Sequence, residues 1–326
     1  MRSNYIGRFA PSPSGPLHAG SLVAAVASYL DARAAQGAWL IRMEDLDTPR
    51  MVKGVAQTII DQLAALDMYA DQPVLYQSDR LAAYKAAFDT LQSKGLTYPC
   101  GCTRQEIADS ARVKSKTATQ ATESSQSAQA ISQPANNVGR HATPQALPKP
   151  YPGTCRYGLP PNRAPRSWRF IVSNQTLAFD DRWCGQQSQN VSAEVGDFVL
   201  KRADDIWSYQ LAVVVDDAFQ GVTDIVRGQD LLDSTARQHL LANALELILP
   251  KTLHVPVLYD ESGLKLSKQN HAQTLNLEQP LECLKSAWLS LGFAPLAVHD
   301  VASFWCEATH RWQNRFFKVS FASIKK

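Results

Sequence analysis

The stretch Arg8-Phe-Ala-Pro-Ser-Pro-Ser-Gly-Pro-Leu-His-Ala-Gly-Ser21 separates an apolar run from a long series of good helix formers. Its three prolines and two glycines prevent regular structure, because proline fixes φ and glycine admits positive φ. The apolar run at 5–9 predicts a strand, and 22–35 predicts a helix with Ser21 able to cap near its start. A strand, a loop and a helix N-terminus form an anion site, since free N–H groups and the helix dipole point at the loop.

Two residues of this loop are candidates for phosphate binding. The imidazole of His18 could donate to a phosphate oxygen, and Gly20 lets a ligand approach the backbone closely. On spacing alone, a loop with one histidine is more often an ordinary loop. The assignment therefore depends on other parts of the chain.

Three blocks, in the same order along the chain, resemble the class I glutamyl-tRNA synthetases. The first is the stretch above, whose His18 and Gly20 match the His-x-Gly form of that family's first signature. The second is Leu40-Ile-Arg-Met-Glu-Asp-Leu-Asp-Thr-Pro-Arg50. The third, Lys265-Leu-Ser-Lys-Gln269, resembles the family's Lys-Met-Ser-Lys-Ser loop. The resemblance covers residues 5–110 and 150–275 and implies a Rossmann-type α/β fold.

Composition is that of an ordinary globular protein. At 326 residues with 45% hydrophobic residues, the chain is long enough for one large or two modest domains. Because no apolar run approaches the roughly 20 residues that span a bilayer, and no signal peptide is evident, we expect a cytoplasmic protein with no membrane partner. Six cysteines then suggest thiols or a metal site, not disulfides. The net charge of +3 permits an RNA partner without requiring one.

The expected architecture is a parallel sheet interrupted by an inserted domain and followed by a short C-terminal helical region. A strand at 38–43 completes a strand–helix–strand unit, which implies parallel pairing. Helical patterns follow at 52–67 and 78–94. We expect the two halves of the Rossmann domain, the insertion between them and the helical region to divide the chain at 1–94, 95–194, 195–274 and 275–326.

The insertion contains a segment of unusual composition. Between 110 and 150 the chain is rich in Ser, Thr, Ala, Gln and Pro, which predicts a flexible stretch that cannot bury enough surface to offset chain entropy. A basic RNA tether through Arg112, Lys114 and Lys116 is the alternative. Beyond it, 168–172 and 176–181 alternate as strands do.

The parallel sheet is expected to resume after the insertion with strands at 197–201 and 209–217, the second fully buried because its apolar run is continuous. A helix at 234–249 and a last strand at 253–258 follow. From residue 281 onward the pattern is helical.

The resemblance implies that glutamate and ATP, the latter with Mg²⁺, condense to an aminoacyl-adenylate. His18, Lys265 and Lys268 would be the catalytic residues, which stabilise charge on the phosphates, while Gly20 and Ser21 complete the ATP site. For an isolated Lys-x-x-Lys, a solvated turn would be the simpler reading.

For glutamate, the resemblance implies two arginines that pair with carboxylates, Arg8 and Arg227, in a bidentate geometry that lysine cannot copy. Glu44 would bind the ammonium group, and Tyr209 would supply a hydroxyl. Glu44 could instead cap a helix, and Tyr209 could lie in the core. The loop residues after Arg8 that belong to the same site are Phe9, Ala10, Pro11 and Ser12.

A zinc site is implied in the insertion. Cys100, Cys102, Tyr151 and Cys155 resemble the family's site of three thiolates and one tyrosine, a closed shell typical of one structural Zn²⁺ per chain. His141 is the competing fourth ligand.

The given sequence runs some 50 residues beyond the lysine loop, so we expect no counterpart of the C-terminal anticodon-binding region of the full-length synthetases. In this it resembles their truncated paralogues. The resemblance implies tRNA-independent activation of glutamate and its transfer to queuosine in the anticodon loop of tRNA(Asp), by a protein expected to be a monomer. A compact synthetase that charges the 3′ end of tRNA and a non-catalytic RNA-binding module are the alternatives.

Overall fold

The structure, a computed structural model, describes residues 4–109, 150–259 and 275–317. Three sequence predictions lie outside these ranges: the flexible stretch except for its last residue, the alternative zinc ligand His141, and the loop with Lys265 and Lys268.

The first sheet is parallel and follows the predicted strand–helix–strand order. Strand β1 (Ile6–Phe9) leads through the Pro-rich loop to helix α1 (Ala19–Ala34), which returns to β2 (Ala38–Met43). β1 pairs in parallel with β2, and β3 (Leu75–Tyr76) pairs with the other edge of β2. The parallel sheet predicted for this part of the chain is confirmed. The two helical patterns are the helices α2 (Val55–Ala64) and α3 (Leu81–Ser93).

A separate antiparallel sheet forms in the insertion. Its strands, in spatial order, are β4 (Thr97–Cys100), β5 (Ser167–Phe170) and β8 (Val199–Lys201). A helix, α4, whose described part is 104–109, follows β4. Since β8 pairs antiparallel with β5, the prediction that 197–201 resumes the parallel sheet is wrong.

A second, mostly parallel sheet contains strands from both sides of the predicted 194/195 boundary. Its order is β7 (Gly185–Asn190), β6 (Thr176–Asp181), β10 (Lys251–Val255) and β9 (Asp224–Gly228). β10 is parallel to both its neighbours, whereas β7 forms a hairpin with β6. The backbone N–H of Thr223 donates to the carbonyl of Ile6 at 2.9 Å, which places β9 beside β1.

The buried strand predicted at 209–217 is a helix. α6 (Tyr209–Phe219) begins where the side chain of Ser208 accepts the backbone N–H of Leu211, and it follows the short helix α5 (Val191–Glu194). The helix packs against α3 and α7 (Ser234–Ala244) and is buried on several sides. Apolar residues are therefore needed on more than one of its faces, which is why the apolar run is continuous. A continuous apolar run does not distinguish a buried strand from a buried helix. Here the serine cap favours the helix.

In the described part of the C-terminal region, 275–317, the chain forms two helices, as predicted. α8 (Pro280–Ser290) and α9 (Val301–Phe316) both pack on α1 and share its hydrophobic core. The buried carboxylate of Asp31 on α1 accepts hydrogen bonds from three directions: Trp312 Nε1 at 2.7 Å, Tyr5 OH at 2.6 Å and Arg182 Nη1 at 2.6 Å. The C-terminal helix is thereby fixed to the first sheet.

Candidate active site

The largest cluster of predicted site residues surrounds one cavity of about 380 Å³ at the carboxyl ends of β1 and β9. Ligands of parallel α/β sheets bind at this edge, where neighbouring crossovers diverge. Every predicted glutamate or ATP residue that the structure describes lines it: Arg8, Phe9, Ala10, Pro11, Ser12, His18, Gly20, Ser21, Glu44, Tyr209 and Arg227. The structure brings these residues together; Lys265 and Lys268 lie outside its described ranges.

The loop that precedes α1 is held in place by backbone hydrogen bonds. Leu17 donates its N–H to Gln62 Oε1 at 2.7 Å, and Glu44 donates its N–H to the carbonyl of Pro11 at 2.9 Å. His18 is the residue that caps the helix, whereas Ser21 lies three positions on and its Oγ accepts the N–H of His18 at 2.9 Å. The N-terminus of α1 therefore opens on the cavity with a fixed geometry.

A buried charge cluster lies behind Arg8 and Glu44, two residues that line the cavity. The carboxylate of Asp217 accepts Arg8 Nε at 3.0 Å and Arg42 Nη1 at 2.7 Å, and Arg42 Nη2 lies 3.6 Å from Glu44 Oε1. Burial alone would raise the pKa of Asp217, but the two guanidinium groups hold it below its usual range. One edge of Arg8 is thus occupied within the protein, so a substrate carboxylate at Arg8 would share the guanidinium with Asp217.

Glu44 has a carboxyl group whose pKa is raised. Burial raises its pKa to about 7, because the charges of Arg42 and Arg8 offset only part of the desolvation and the carboxylate of Asp217 adds to it. The group therefore changes charge close to neutral pH. A bound cation would favour its ionised form.

Among the residues that the structure describes, Arg227 has only neutral partners, in contrast to Arg8. Its five N–H groups meet five acceptors: His254 Nε2, Gln238 Oε1 and Thr235 Oγ1 at 2.9 Å, and Tyr209 OH and the Leu231 carbonyl at 3.3 Å. Within the described ranges, no carboxylate forms an ion pair with it, although the residue is only 5% exposed. A buried, unneutralised guanidinium is an attractive place for an anionic ligand group.

His254 connects Arg227 to a buried carboxylate. Its Nδ1 lies 2.6 Å from Asp181 Oδ2, and both side chains are fully buried. Burial lowers the pKa of His254, and the positive charge of Arg227 lowers it further, whereas Asp181 offsets only part of this effect. The imidazole is accordingly neutral at pH 7.

Sequence reasoning missed four charged or polar groups of this region. They are Arg42, Asp181, Asp217 and His254. Arg42 could have been found, since it lies inside the second of the three blocks that resemble the family and a charge in a buried strand needs a partner. The partners of the others come from distant parts of the chain.

A second candidate centre lies in the antiparallel sheet. The sulfur atoms of Cys100, Cys102 and Cys155 lie within 4.8 Å of one another, and Tyr151 OH is 3.2 Å from the first and 3.6 Å from the second. A tetrahedral zinc site with Zn–S bonds of about 2.3 Å has sulfur–sulfur edges of roughly 3.8 Å, so these spacings fit such a shell. The arrangement is compatible with a metal ion.

The position of Tyr151 depends on its neighbours. Gly196 has a φ of +75°, and a Cβ there would collide with the carbonyl oxygen of Tyr151, so only glycine allows the bridge between these two residues. The guanidinium of Arg169 lies 3.6 Å above the tyrosine ring. Both contacts hold the phenol against the three thiols.

No helix within the described ranges is long and apolar enough to cross a membrane.

Comparisons with known proteins identify the family of the chain. Residues 6–146 and 162–287 match the family model described as tRNA synthetases class I (E and Q), catalytic domain. Glutamyl-Q tRNA(Asp) synthetase of Bordetella bronchiseptica is 54% identical over 97% of this chain and 91% of its own length. The protein of that name from Burkholderia cenocepacia is 50% identical over 97% and 98%.

Among solved structures, glutamate-tRNA synthetase of Elizabethkingia anophelis superposes with a TM-score of 0.63 at 24% identity, which supports the fold. The match covers 82% of this chain and 53% of that one, so the chain spans about half of the solved synthetase. The chain belongs to the class I tRNA synthetases of the glutamate and glutamine group, and within them to the glutamyl-Q tRNA(Asp) synthetase family.

Proposed function

We propose that this protein activates glutamate with ATP and transfers it to queuosine in the anticodon of tRNA(Asp). The names of the relatives, at about half of all positions identical over nearly the whole chain, support this function. It is the main hypothesis. A compact synthetase that charges the 3′ end of tRNA and a non-catalytic RNA-binding module are the alternatives.

The proposal rests on two groups in one cavity, of which one attracts an anion and the other attracts a cation. Arg227 is a buried cation with neutral partners only, among the described residues, and Glu44 is a carboxyl group whose pKa of about 7 a cation would lower. Glutamate presents carboxylates and one ammonium, so it complements both. We assign Arg227 to a substrate carboxylate, Glu44 to the ammonium and Tyr209 to a hydrogen bond beside Arg227.

In the activation step, an oxygen of the substrate α-carboxylate attacks the α-phosphorus of ATP, and pyrophosphate leaves. His18, Lys265 and Lys268 would stabilise the charge that develops on the phosphates, at the N-terminus of α1 where Gly20 and Ser21 lie. A hydroxyl of queuosine then attacks the carbonyl carbon of the adenylate, and AMP leaves. Positioning and electrostatics supply most of the catalysis in such chemistry.

We further propose that the inserted sheet holds one structural zinc ion through Cys100, Cys102, Cys155 and Tyr151. The ligand spacing and the restrained phenol support this set. A closed four-ligand shell leaves no open position, so the ion would stabilise the fold and take no part in the reaction.

The transfer experiment tests the function directly. The protein should support glutamate-dependent ATP–pyrophosphate exchange without RNA, and labelled glutamate should go onto tRNA(Asp) that contains queuosine but not onto tRNA(Asp) that lacks it. An isolated queuosine-containing anticodon stem-loop should suffice, because single-stranded loops present unstacked bases for recognition. Labelling of tRNA without queuosine at a periodate-sensitive 3′ end would favour the compact synthetase, and absence of exchange would favour the binding module.

A further inference from the structure

The hydrogen bonds of Arg227 divide into two groups. The three short ones, at 2.9 Å, go to His254, Gln238 and Thr235, which do not line the cavity. The two longer ones, at 3.3 Å, go to Tyr209 and Leu231, which do. The guanidinium is therefore anchored from behind, and its cavity side makes only weak contacts that a ligand carboxylate could replace.

The anchor through His254 is possible in one tautomer only. Arginine can only donate, so His254 Nε2 must accept the N–H of Arg227 Nε. The hydroxyl oxygen of Thr235 accepts a hydrogen bond from Arg227. Its proton can be donated to His254 Nε2, which lies 3.4 Å away. The imidazole proton must then be on Nδ1, where the carboxylate of Asp181 accepts it at 2.6 Å.

We propose that Asp181 and His254 are a positioning pair, which fixes the Nδ1–H tautomer and thereby orients Arg227 toward a carboxylate of the substrate without neutralising its charge. The inference rests on the proposed function, since it assigns the substrate carboxylate to Arg227. Three observations support it: the short distances, the register that places His254 beside Arg227 on neighbouring strands, and the burial of all three side chains.

A neutral relay serves this purpose better than a direct ion pair. A carboxylate in contact with Arg227 would compete with the substrate for the guanidinium, as Asp217 occupies one edge of Arg8. With the imidazole between them, the negative charge of Asp181 orients Arg227 from a distance.

The substitution Asp181→Asn tests the tautomer because of the other oxygen of Asp181. Oδ1 accepts the backbone N–H groups of Trp183, Cys184 and His254 at 2.8–3.1 Å. In Asp181→Asn the amide oxygen must stay at that position, so the amide NH₂ faces His254 Nδ1. The imidazole proton then moves to Nε2, where it meets the N–H of Arg227, and two donors oppose each other.

We would measure three quantities: the histidine tautomer by ¹⁵N NMR, and the KM values for glutamate and ATP in pyrophosphate exchange. Asp181→Asn should convert the His254 signal from the Nδ1–H to the Nε2–H form. It should raise the KM for glutamate roughly tenfold to a hundredfold, the equivalent of one charge-assisted hydrogen bond, while the KM for ATP stays unchanged. His254→Leu should raise the glutamate KM similarly. His254→Gln, whose amide oxygen can accept from Arg227, should recover most of the affinity lost in His254→Leu.

The matched control is His239→Leu, a half-buried histidine on α7, which packs on Phe179 and should leave both KM values unchanged. An Nε2–H tautomer of His254 in the wild-type protein would overturn the inference even if the Asp181→Asn protein does not fold. So would equal glutamate KM values in His254→Leu and His254→Gln. Failure of the proposed function is distinguishable from both, because the wild-type protein would then show no glutamate-dependent exchange.

Discussion

Glutamate binding should weaken as the pH falls through neutrality, because the proposed pairing with the ammonium group requires an ionised Glu44. With a pKa of about 7 for the free protein, the ionised fraction falls from about nine-tenths at about pH 8 to about one-tenth at about pH 6. The dissociation constant should therefore rise about tenfold over this interval and become flat above it. The neighbouring charges do not imitate this effect, since the pKa of Arg42 is raised and that of Asp217 is lowered.

The assay is calorimetric titration of glutamate into the protein across this pH range, in buffers of different ionisation enthalpy. Near pH 7, binding should release about half a proton, because the ligand ammonium shifts Glu44 to its ionised form. The matched variant is Glu44→Gln, which keeps size and polarity but cannot titrate. It should bind glutamate weakly and without this pH slope.

A dissociation constant that stays constant between about pH 6 and about pH 8 would refute the role of Glu44 in binding the ammonium. So would a slope that survives in Glu44→Gln, which would assign the titration to another group. The ATP affinity, measured in parallel, serves as the internal control.

Four further results are expected. Arg227→Lys should raise the glutamate KM by the equivalent of about 1.5–3 kcal/mol, because lysine cannot make the planar set of contacts, and a wild-type KM in pyrophosphate exchange would remove Arg227 from the site. Glu44→Gln should raise the melting temperature at about pH 8. The folded protein has its full stability from the protonated Glu44 carboxyl below about pH 4.5 and loses it as the pH rises through 7, because the buried group then ionises. This ionisation costs about 3 kcal/mol, which glutamine avoids. Cys100→Ser should lose zinc, about one ion per chain in the wild type by metal analysis, whereas Cys184→Ser, outside the cluster, should keep it; zinc retained in Cys100→Ser would contradict the ligand set. Asp217→Asn should lower the free energy of unfolding by about 3–5 kcal/mol, since two buried guanidinium groups lose one carboxylate, and urea unfolding with an unchanged midpoint would contradict this.

The local elements were predictable where the pattern is unambiguous. The strand at 38–43 was predicted with the bounds that the structure shows, and the Pro-rich loop identified the start of α1 to within a few residues. Periodicity failed at 209–219, because a helix buried on several sides has no polar face to reveal its period. It also could not assign β8 to its sheet, since pairing partners depend on the chain's path in space.

The residues of the candidate site likewise divide into those that the sequence predicts and those that it does not. Residues within the recognisable blocks, such as Arg8, Glu44 and His18, were found because neighbours along the chain identify them. Asp181 and His254 lie 73 positions apart and belong to no block that the sequence suggested. The positioning role that we propose for them rests on a hydrogen bond, which a sequence does not display.

The position of β9 beside β1 has a consequence for synthesis of the protein. Phe9 and Asp224 are 215 positions apart, so β1 waits for its neighbour while most of the chain is still being translated. At about 5–20 residues per second, this interval lasts roughly 10–45 seconds. During it the edge of β1 has no partner from β9, and an unpaired strand edge is prone to non-native pairing. Glutamate binding should accordingly arise late and all at once, because no early fragment contains both Glu44 and Arg227.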